Sequence, residues 1–512
     1  MAVFSLKANS YQAKDFPEYD VIIIGSGSGG GLAAAEMAKK GYRVALIEMG
    51  ANLRTKDFKL DESFAYQNLY QEAAGRKTKD GLITVLQGKA LGGGTTVNWT
   101  SSFRTPDLTL KYWEEHFGLK EAKPEVMKPY FEQVEKIIDV TDWEIEPNRN
   151  NSLLAEGLKS LGHSYGLIRR NVKSCQNLGY CGFGCPVGAK QSGLLTTIKE
   201  AELFGADIFC DAFVQKIAFS KKKLKNLAHQ ILIDNSSSGI PLKLRAKTFI
   251  LSAGAIGSPA IMKRSGFPDP YDLVGKRTFL HPVVISGGVY DEEVEPFYGA
   301  PQTVYSDDFL PKNLVEKQSG FKLEVPPIHP LLISTTLPFY GQEHRKFMES
   351  LPNLQAILAL QRDGFHPESP GGMVQLTSNG GAVLDYRITP YMQDGFRRAL
   401  EVMGEVQFAA GAKEVMPLHK QAKRVKKLSE LRQQLKNLSM KSQSLKVVSA
   451  HVMGGCPMGN FENKSVVNEN GKHHHIDNVY VMDGSIFPTS IGTNPMVSIL
   501  SQTLRMINKF NG

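Results

Sequence analysis

Val21, Ile22, Ile23 and Ile24 form an unbroken apolar run, the pattern of a parallel strand buried on both faces. Gly25-Ser26-Gly27-Ser28-Gly29-Gly30 follows at once. An alanine-rich segment from about Gly31 to Lys40 then predicts a helix, which Gly41 ends. A second apolar run starts at Arg43 and closes on Glu48. Ala246 to Ala253 predicts another buried strand, running into Gly254 and Gly257-Ser258-Pro259. Beyond Phe279, segments rich in Val, Ile, Thr, Tyr and Pro predict a β-rich region. From Lys420 to Leu438 the residues Val425, Leu428, Leu431, Leu435 and Leu438 share one face, which predicts an amphipathic helix. Val479 to Met482 predicts a last strand, followed by Asp483-Gly484, a turn-rich stretch, and a helix from Met496 to Phe510.

A chain of 512 residues exceeds one compact core, so two joined domains are expected. The 42% hydrophobic and 22% charged content excludes disordered and fibrous classes. Sixty basic against 51 acidic residues give a net charge of +9, a mild bias compatible with an anionic membrane surface. No basic run interleaved with aromatics points to nucleic acid, and Lys221-Lys222-Lys223 reads as a solvated turn. No segment is long and apolar enough to span a bilayer. Met1 to Asp20 lacks the apolar core of a secretory signal, so a cytoplasmic location is expected. Five cysteines are too few and too uneven for a disulfide framework.

The first chemistry lies in the strand–glycine turn–helix–strand–acid order. Gly25 permits the tight turn, Gly27 lets backbone approach a pyrophosphate, and Gly30 lets the helix pack closely on the strand. The helix N-terminus presents its positive end to phosphate. Glu48, 18 residues after Gly30, is placed to accept hydrogen bonds from a ribose diol. A plain strand–helix–strand unit is the bland alternative, and this unit alone does not separate FAD from NAD.

Three further segments narrow the choice. Gly88-Lys89-Ala90-Leu91-Gly92-Gly93-Gly94-Thr95-Thr96-Val97-Asn98-Trp99 and the stretch from Gly254 to Gly266 resemble the two signatures of the glucose–methanol–choline (GMC) oxidoreductases. Phe267-Pro268 departs from the usual end of the second signature. Asp483-Gly484-Ser485 through Asn494-Pro495-Met496 is similar to the family's closing flavin segment, so the landmarks run along the whole chain in family order. Within the family, Val97-Asn98-Trp99-Thr100, Arg104-Thr105-Pro106, Cys181-Gly182-Phe183-Gly184-Cys185-Pro186, Leu280-His281-Pro282 and His451-Val452-Met453-Gly454-Gly455-Cys456 resemble the long-chain-alcohol oxidase branch.

That resemblance implies an α/β fold: a Rossmann-like FAD-binding domain of GMC type with an interleaved, β-rich α+β substrate domain. It implies FAD domain segments 15–110, 186–275 and 446–512, and substrate or cap segments 111–185 and 276–445. It places Gly93, Thr95 and Asn98 against the flavin, Val214 at the adenine, and Asp483 and Gly484 at the pyrophosphate and ribityl chain. Asn494, Pro495 and Met496 fall by the flavin's pyrimidine side. No histidine lies between Gly88 and Arg104, so non-covalent FAD is expected.

The implied reaction is oxidation of an alcohol to aldehyde or ketone by hydride transfer to flavin N5. It needs a base for the hydroxyl proton, and imidazole suits that task. His451, before Gly454-Gly455, and Asn494, 43 residues later, match the family's catalytic pair in its His/Asn version. A buried structural histidine is the bland reading for His451 taken alone. His281 is read as holding a strand end, and His473-His474-His475 as a solvated loop rather than a zinc site.

A long-chain or sterol-like alcohol is the expected substrate, with oxygen or an external acceptor taking the electrons. The alternatives are a sugar or polyol dehydrogenase that passes electrons through an iron–sulfur cluster, a non-redox flavin lyase, a light-driven fatty-acid decarboxylase, and a simple NAD-binding protein. Cys175, Cys181 and Cys185, spaced C-x5-C-x3-C, resemble the cluster loop of GMC glucose dehydrogenases, and also the similar cysteine-rich, glycine-rich loop of long-chain-alcohol oxidases, which has no established cluster. Free thiols or zinc are the other readings of that loop. The basic helix at Lys420 to Leu438 has two readings, peripheral contact with an anionic membrane or packing on its own domain.

Overall fold

The computed structural model describes residues 3–7, 11, 16–219, 227–234, 241–313, 317–337 and 339–510. The lysine run at 221–223 lies outside them. Among these residues the molecule is built on three main sheets.

The first sheet forms around Tyr19–Ile24, whose Val21 to Ile24 are buried on both faces as their unbroken apolar pattern requires. Val44–Ile47 and Leu242–Leu251 flank it in parallel register, with Ile23 opposite Leu46 on one side and Ile250 on the other. Asp207–Cys210 and Val3–Ser5 extend one edge, also parallel. Ala228–Ile233 and Val214–Phe219 add an antiparallel extension at the other, while Val479–Val481 also pairs with Leu242–Leu251. Helix Ser28–Lys39 springs directly from the first strand and packs on helices Thr197–Leu203 and Met496–Asn508. Helix Pro124–Ile137 lies against Met496–Asn508 as well. This is the Rossmann-like α/β layer that the resemblance implies.

The second sheet is mixed and mainly antiparallel, in the order Ile83–Val85, Val447–Ser449, Val283–Val289, Leu354–Gln361, Phe321–Glu324, Val304–Ser306, Gly166–Leu167. Glu414–Pro417 pairs with Val283–Val289 as well. Helices Pro390–Ala409 and Arg149–Ser160 pack together and against strands of this sheet. A third sheet of four short strands joins Ala382–Asp385, Gly372–Leu376, Lys276–Phe279 and Met453–Gly454. The chain passes from the second sheet at Ser449 to the third at Met453, and that crossing carries His451. The β-rich region expected beyond Phe279 is these two sheets.

The leucine-striped segment is shorter than its periodicity predicts. The helix spans Leu428–Asn437, and Lys420 to Lys427 precede it without helix. Leu431 and Leu435 are buried in the second core. Arg432 reaches Glu401 and Glu405, and Arg424 reaches Glu414. Its apolar stripe thus packs on its own domain. No helix among the described residues is long and apolar enough to cross a membrane.

Gly30 shows how tightly the first helix sits. A Cβ there would fall 1.8 Å from the Gly25 carbonyl oxygen and 3.0 Å from the Ser252 Cβ. Backbone cannot yield cheaply, so Gly30→Ala is expected to lower stability by about 1–3 kcal/mol, the usual cost of overpacking. Thermal unfolding checks it, and an unchanged melting temperature would contradict this close packing.

Candidate active site

Two glycine segments distant in sequence meet at the mouth of the first strand. Gly27 has no atom within 4 Å of where a Cβ would stand. Gly93, at φ +52°, lies so close that its Cβ would fall 2.8 Å from the Gly27 Cα. Ser26 ties the two together: its hydroxyl donates to Glu48 Oε2 at 2.6 Å and accepts from the Gly92 N–H at 2.9 Å. Glu48 also accepts from the Ser26 N–H at 3.1 Å and the Gly50 N–H at 2.8 Å. Burial pushes the Glu48 carboxyl up, while these hydrogen bonds favour its ionised form. Glu48 is thus an anchor for the turn as well as a candidate ribose partner.

The segments open onto a cavity of about 650 Å³. Gly25, Gly27, Glu48, Gly93, Asn98, Val214, Asp483, Gly484, Asn494, Pro495, Met496 and His451 all border it. Gly30 and Thr95 do not. Gly30 is spent on helix packing, and the Thr95 hydroxyl is turned to the Gly92 carbonyl at 2.6 Å and the Gly193 N–H at 2.9 Å. Asp483 borders the cavity but uses its carboxylate on the Gly254 N–H, the Ser258 hydroxyl and the Ser485 N–H. The bare Gly27 and Gly94 backbone, the N-terminus of helix Ser28–Lys39 and the cavity they open onto together fit a dinucleotide cofactor.

At one border of the cavity lies a chain of polar side chains. His451 Nε2 is 3.5 Å from Asn494 Nδ2, at the long limit of a hydrogen bond. Asn494 Nδ2 also reaches Glu324 Oε2 at 3.3 Å. On its other side, His451 Nδ1 is 3.2 Å from His281 Nδ1, with the two rings stacked. His281 sits at φ +47°, and the Asp363 carboxylate accepts the N–H groups of Leu280 and His281 and the Tyr386 hydroxyl. His281 therefore does more than hold a strand end, because it backs His451. Burial pulls His451 down to about 4 and His281 well below its ordinary value. Burial also raises Glu324 to about 7, with the Lys322 ammonium opposing.

The cysteine loop lies beneath the glycine turn. Buried Lys190 donates to the carbonyls of Thr96, Asn98 and Cys181 at 2.7, 2.8 and 2.9 Å. Arg170 Nη2 donates to Cys181 Sγ at 3.8 Å and to the Trp99 carbonyl at 2.8 Å. All three thiols of the loop are free, and among the described residues no group of three or more His, Cys, Asp or Glu is arranged to hold a metal ion. Cys175, Cys181 and Cys185 are not gathered as a ligand set, and the loop's visible work is to hold the Gly88–Trp99 segment from below. The histidine run is also not a solvated loop throughout. His473 is buried against Phe267, and His474 pairs with the Ser465 hydroxyl at 2.9 Å.

Two GMC oxidoreductase models match residues 66–283 and 367–502, and an FAD binding domain model matches residues 20–60. The chain belongs to the GMC oxidoreductase family. The long-chain-alcohol oxidases FAO4A and FAO4B of Arabidopsis thaliana are 28% and 29% identical to this GMC protein over 94% of its length. The chain spans 67% and 66% of those two relatives. Among solved structures, pyridoxine 4-oxidase from Mesorbium loti superposes with a TM-score of 0.70 at 16% identity, covering 96% of this chain and 99% of that one. The fold is thus the GMC fold, and the protein is an FAD-dependent oxidoreductase.

Sequence reasoning did not find Glu324, Lys190 or Arg170. Nothing in Phe321-Lys322-Leu323-Glu324 signals that its charges are buried, and Lys190 sits in a glycine-rich loop with no motif of its own. Replacing Lys190 with Met keeps the length and removes the donor from three carbonyls. Lys190→Met is expected to destabilise the fold by about 1–3 kcal/mol per carbonyl left dry and to lower flavin content. Thermal unfolding and the flavin-to-protein absorbance ratio check it, and an unchanged ratio would detach Lys190 from the cofactor cradle.

Proposed function

We propose that this GMC oxidoreductase oxidises a long-chain or sterol-like alcohol to the aldehyde or ketone, with His451 as base and oxygen as electron acceptor. The observation that carries this reading is the placing of His451 and Asn494 on a cavity whose further wall is aliphatic. Val283, Ile285, Leu354, Leu358, Leu360 and Val448 line that wall. Bound FAD supplies the acceptor for the carbinol hydride. Burial keeps His451 neutral at neutral pH, which a base requires. Its Nδ1 is turned to His281, so Nε2 is the atom left to take the hydroxyl proton. The Asn494 amide, beside Nε2, orients the substrate oxygen. The names of the Arabidopsis relatives support both the alcohol and the oxygen. FAD is held without a covalent bond, a reading supported by the lack of histidine between Gly88 and Arg104.

Anaerobic mixing with a long-chain primary alcohol is expected to bleach the flavin, and His451→Ala to slow that step by about 10²–10⁴ while FAD stays bound. Stopped-flow absorbance checks it; equal rates in the two proteins would remove His451 from the chemistry, and no bleaching by any alcohol would favour a non-redox flavoprotein. The His451 ring itself is expected to take a proton only as pH falls toward about 4 rather than near 6.5, so loss of rate at higher pH points to another group. Acid precipitation is expected to release yellow FAD into the supernatant; flavin retained in the pellet would contradict non-covalent binding.

A further inference from the structure

The polar chain His281–His451–Asn494–Glu324 has one link that reads two ways. A single amide atom of Asn494 faces both Glu324 Oε2, at 3.3 Å, and His451 Nε2, at 3.5 Å. The amide nitrogen and oxygen can exchange places by rotation, and the partners decide which faces them. An ionised Glu324 only accepts, so the amide NH2 must face it. The second N–H then points at His451 Nε2, which must carry a lone pair, and the His451 proton sits on Nδ1, donated to His281 Nδ1. A protonated Glu324 can donate, which lets the amide oxygen face it and also take a proton from His451 Nε2. His451 Nδ1 then accepts from His281 Nδ1–H.

The two arrangements differ by one proton, the one on Glu324. Only the first leaves a lone pair on Nε2, where an alcohol hydroxyl can take the place of the long 3.5 Å contact from Asn494. His281 Nε2 has no partner among the described residues. It costs more as an orphan N–H, in the first arrangement, than as a lone pair, in the second. A neutral Glu324 therefore tips the chain to the arrangement that cannot act as base.

We propose that Glu324 is a positioning residue whose charge, passed through the Asn494 amide, selects the His451 tautomer able to accept the substrate proton, with His281 closing the other end of the chain. The proposal rests on the reading of His451 as base. Glu324 is fully buried and does not border the cavity, so it acts through Asn494 alone. It faces Lys322 and Arg170, which favour its charge, and Asp307, which opposes it. Lys322 is itself buried, ion-paired to Asp307 at 2.6 Å between the rings of Phe103 and Tyr305. His281 feels Lys322 and Arg362 besides His451, and the Asp363 carboxylate holds its backbone. Burial brings Glu324 to about 7, so the selection falls in the neutral range.

Nitrogen NMR of the histidine-labelled holoenzyme, with His451 assigned by its loss in His451→Gln, reads the tautomer directly. At about pH 8.5 the His451 proton is expected on Nδ1 with Nε2 bare, and at about pH 5.5 on Nε2. In Glu324→Gln, with FAD content verified, the His451 tautomer is expected not to change with pH. The rate of anaerobic flavin reduction is expected to fall at least about tenfold between those pH values in the natural protein and less than about twofold in Glu324→Gln. One tautomer at both pH values in the natural protein, or the same pH response in Glu324→Gln, overturns the proposal. The NMR reading needs no substrate, so failure of every alcohol to reduce the flavin would strike the functional reading and leave the tautomer result to stand or fall separately.

Discussion

The close approach of Gly27 to Gly93 is the contact on which the site depends. Two backbone segments, one opening the first helix and one 66 residues later, touch where no side chain intervenes, and Ser26 and Glu48 lock them there. The locking bonds are buried, so each is costly to break, and the cradle is formed by the chain itself. From that contact the rest follows in order. Lys190 and Arg170 hold the second glycine segment from below, Asn98 ends it at the cavity, and Met496, at the start of the C-terminal helix, meets Asn98. The His451 crossing between two sheets completes the wall.

The nucleotide half was legible because its constraints are local. A strand buried on both faces, a glycine turn and an acid at a fixed distance each require particular residue types at particular positions. The aliphatic wall was less legible, because its strands Val283–Val289 and Leu354–Gln361 alternate no polar face that would mark them. The charged residues of the site were hidden for another reason. Glu324 and Lys322 lie in a strand whose pattern reads as half solvent-exposed, yet both are fully buried, because an Asn from the C-terminal segment and two aromatic rings cover them. Long-range cover of this kind leaves no periodic trace. The leucine stripe at Lys420 to Leu438 shows the opposite error, where periodicity runs past the true helix start because Val425 is buried by a bridge to Val415 instead.

Dryness sets the electrostatics of the catalytic end. The same burial that lowers both histidines raises Glu324 to about 7 and Asp363 to about 6, so the imidazoles are neutral where the carboxyls still titrate. A neutral imidazole is what proton abstraction needs, and an aliphatic wall beside it keeps water away from the reacting carbon. Cofactor cradle, His451 and apolar wall thus border one cavity.

The account makes that shared cavity its central claim, and a series of straight-chain primary alcohols tests it most directly. If the alkyl tail lies on the wall of Val283, Ile285, Leu354 and Leu358, each added methylene contributes about 0.8 kcal/mol of burial. The second-order rate of flavin reduction should then rise about fourfold per carbon until the wall is covered, and level off beyond. A rate independent of chain length would contradict the account, because it would place the reacting alcohol away from the aliphatic wall.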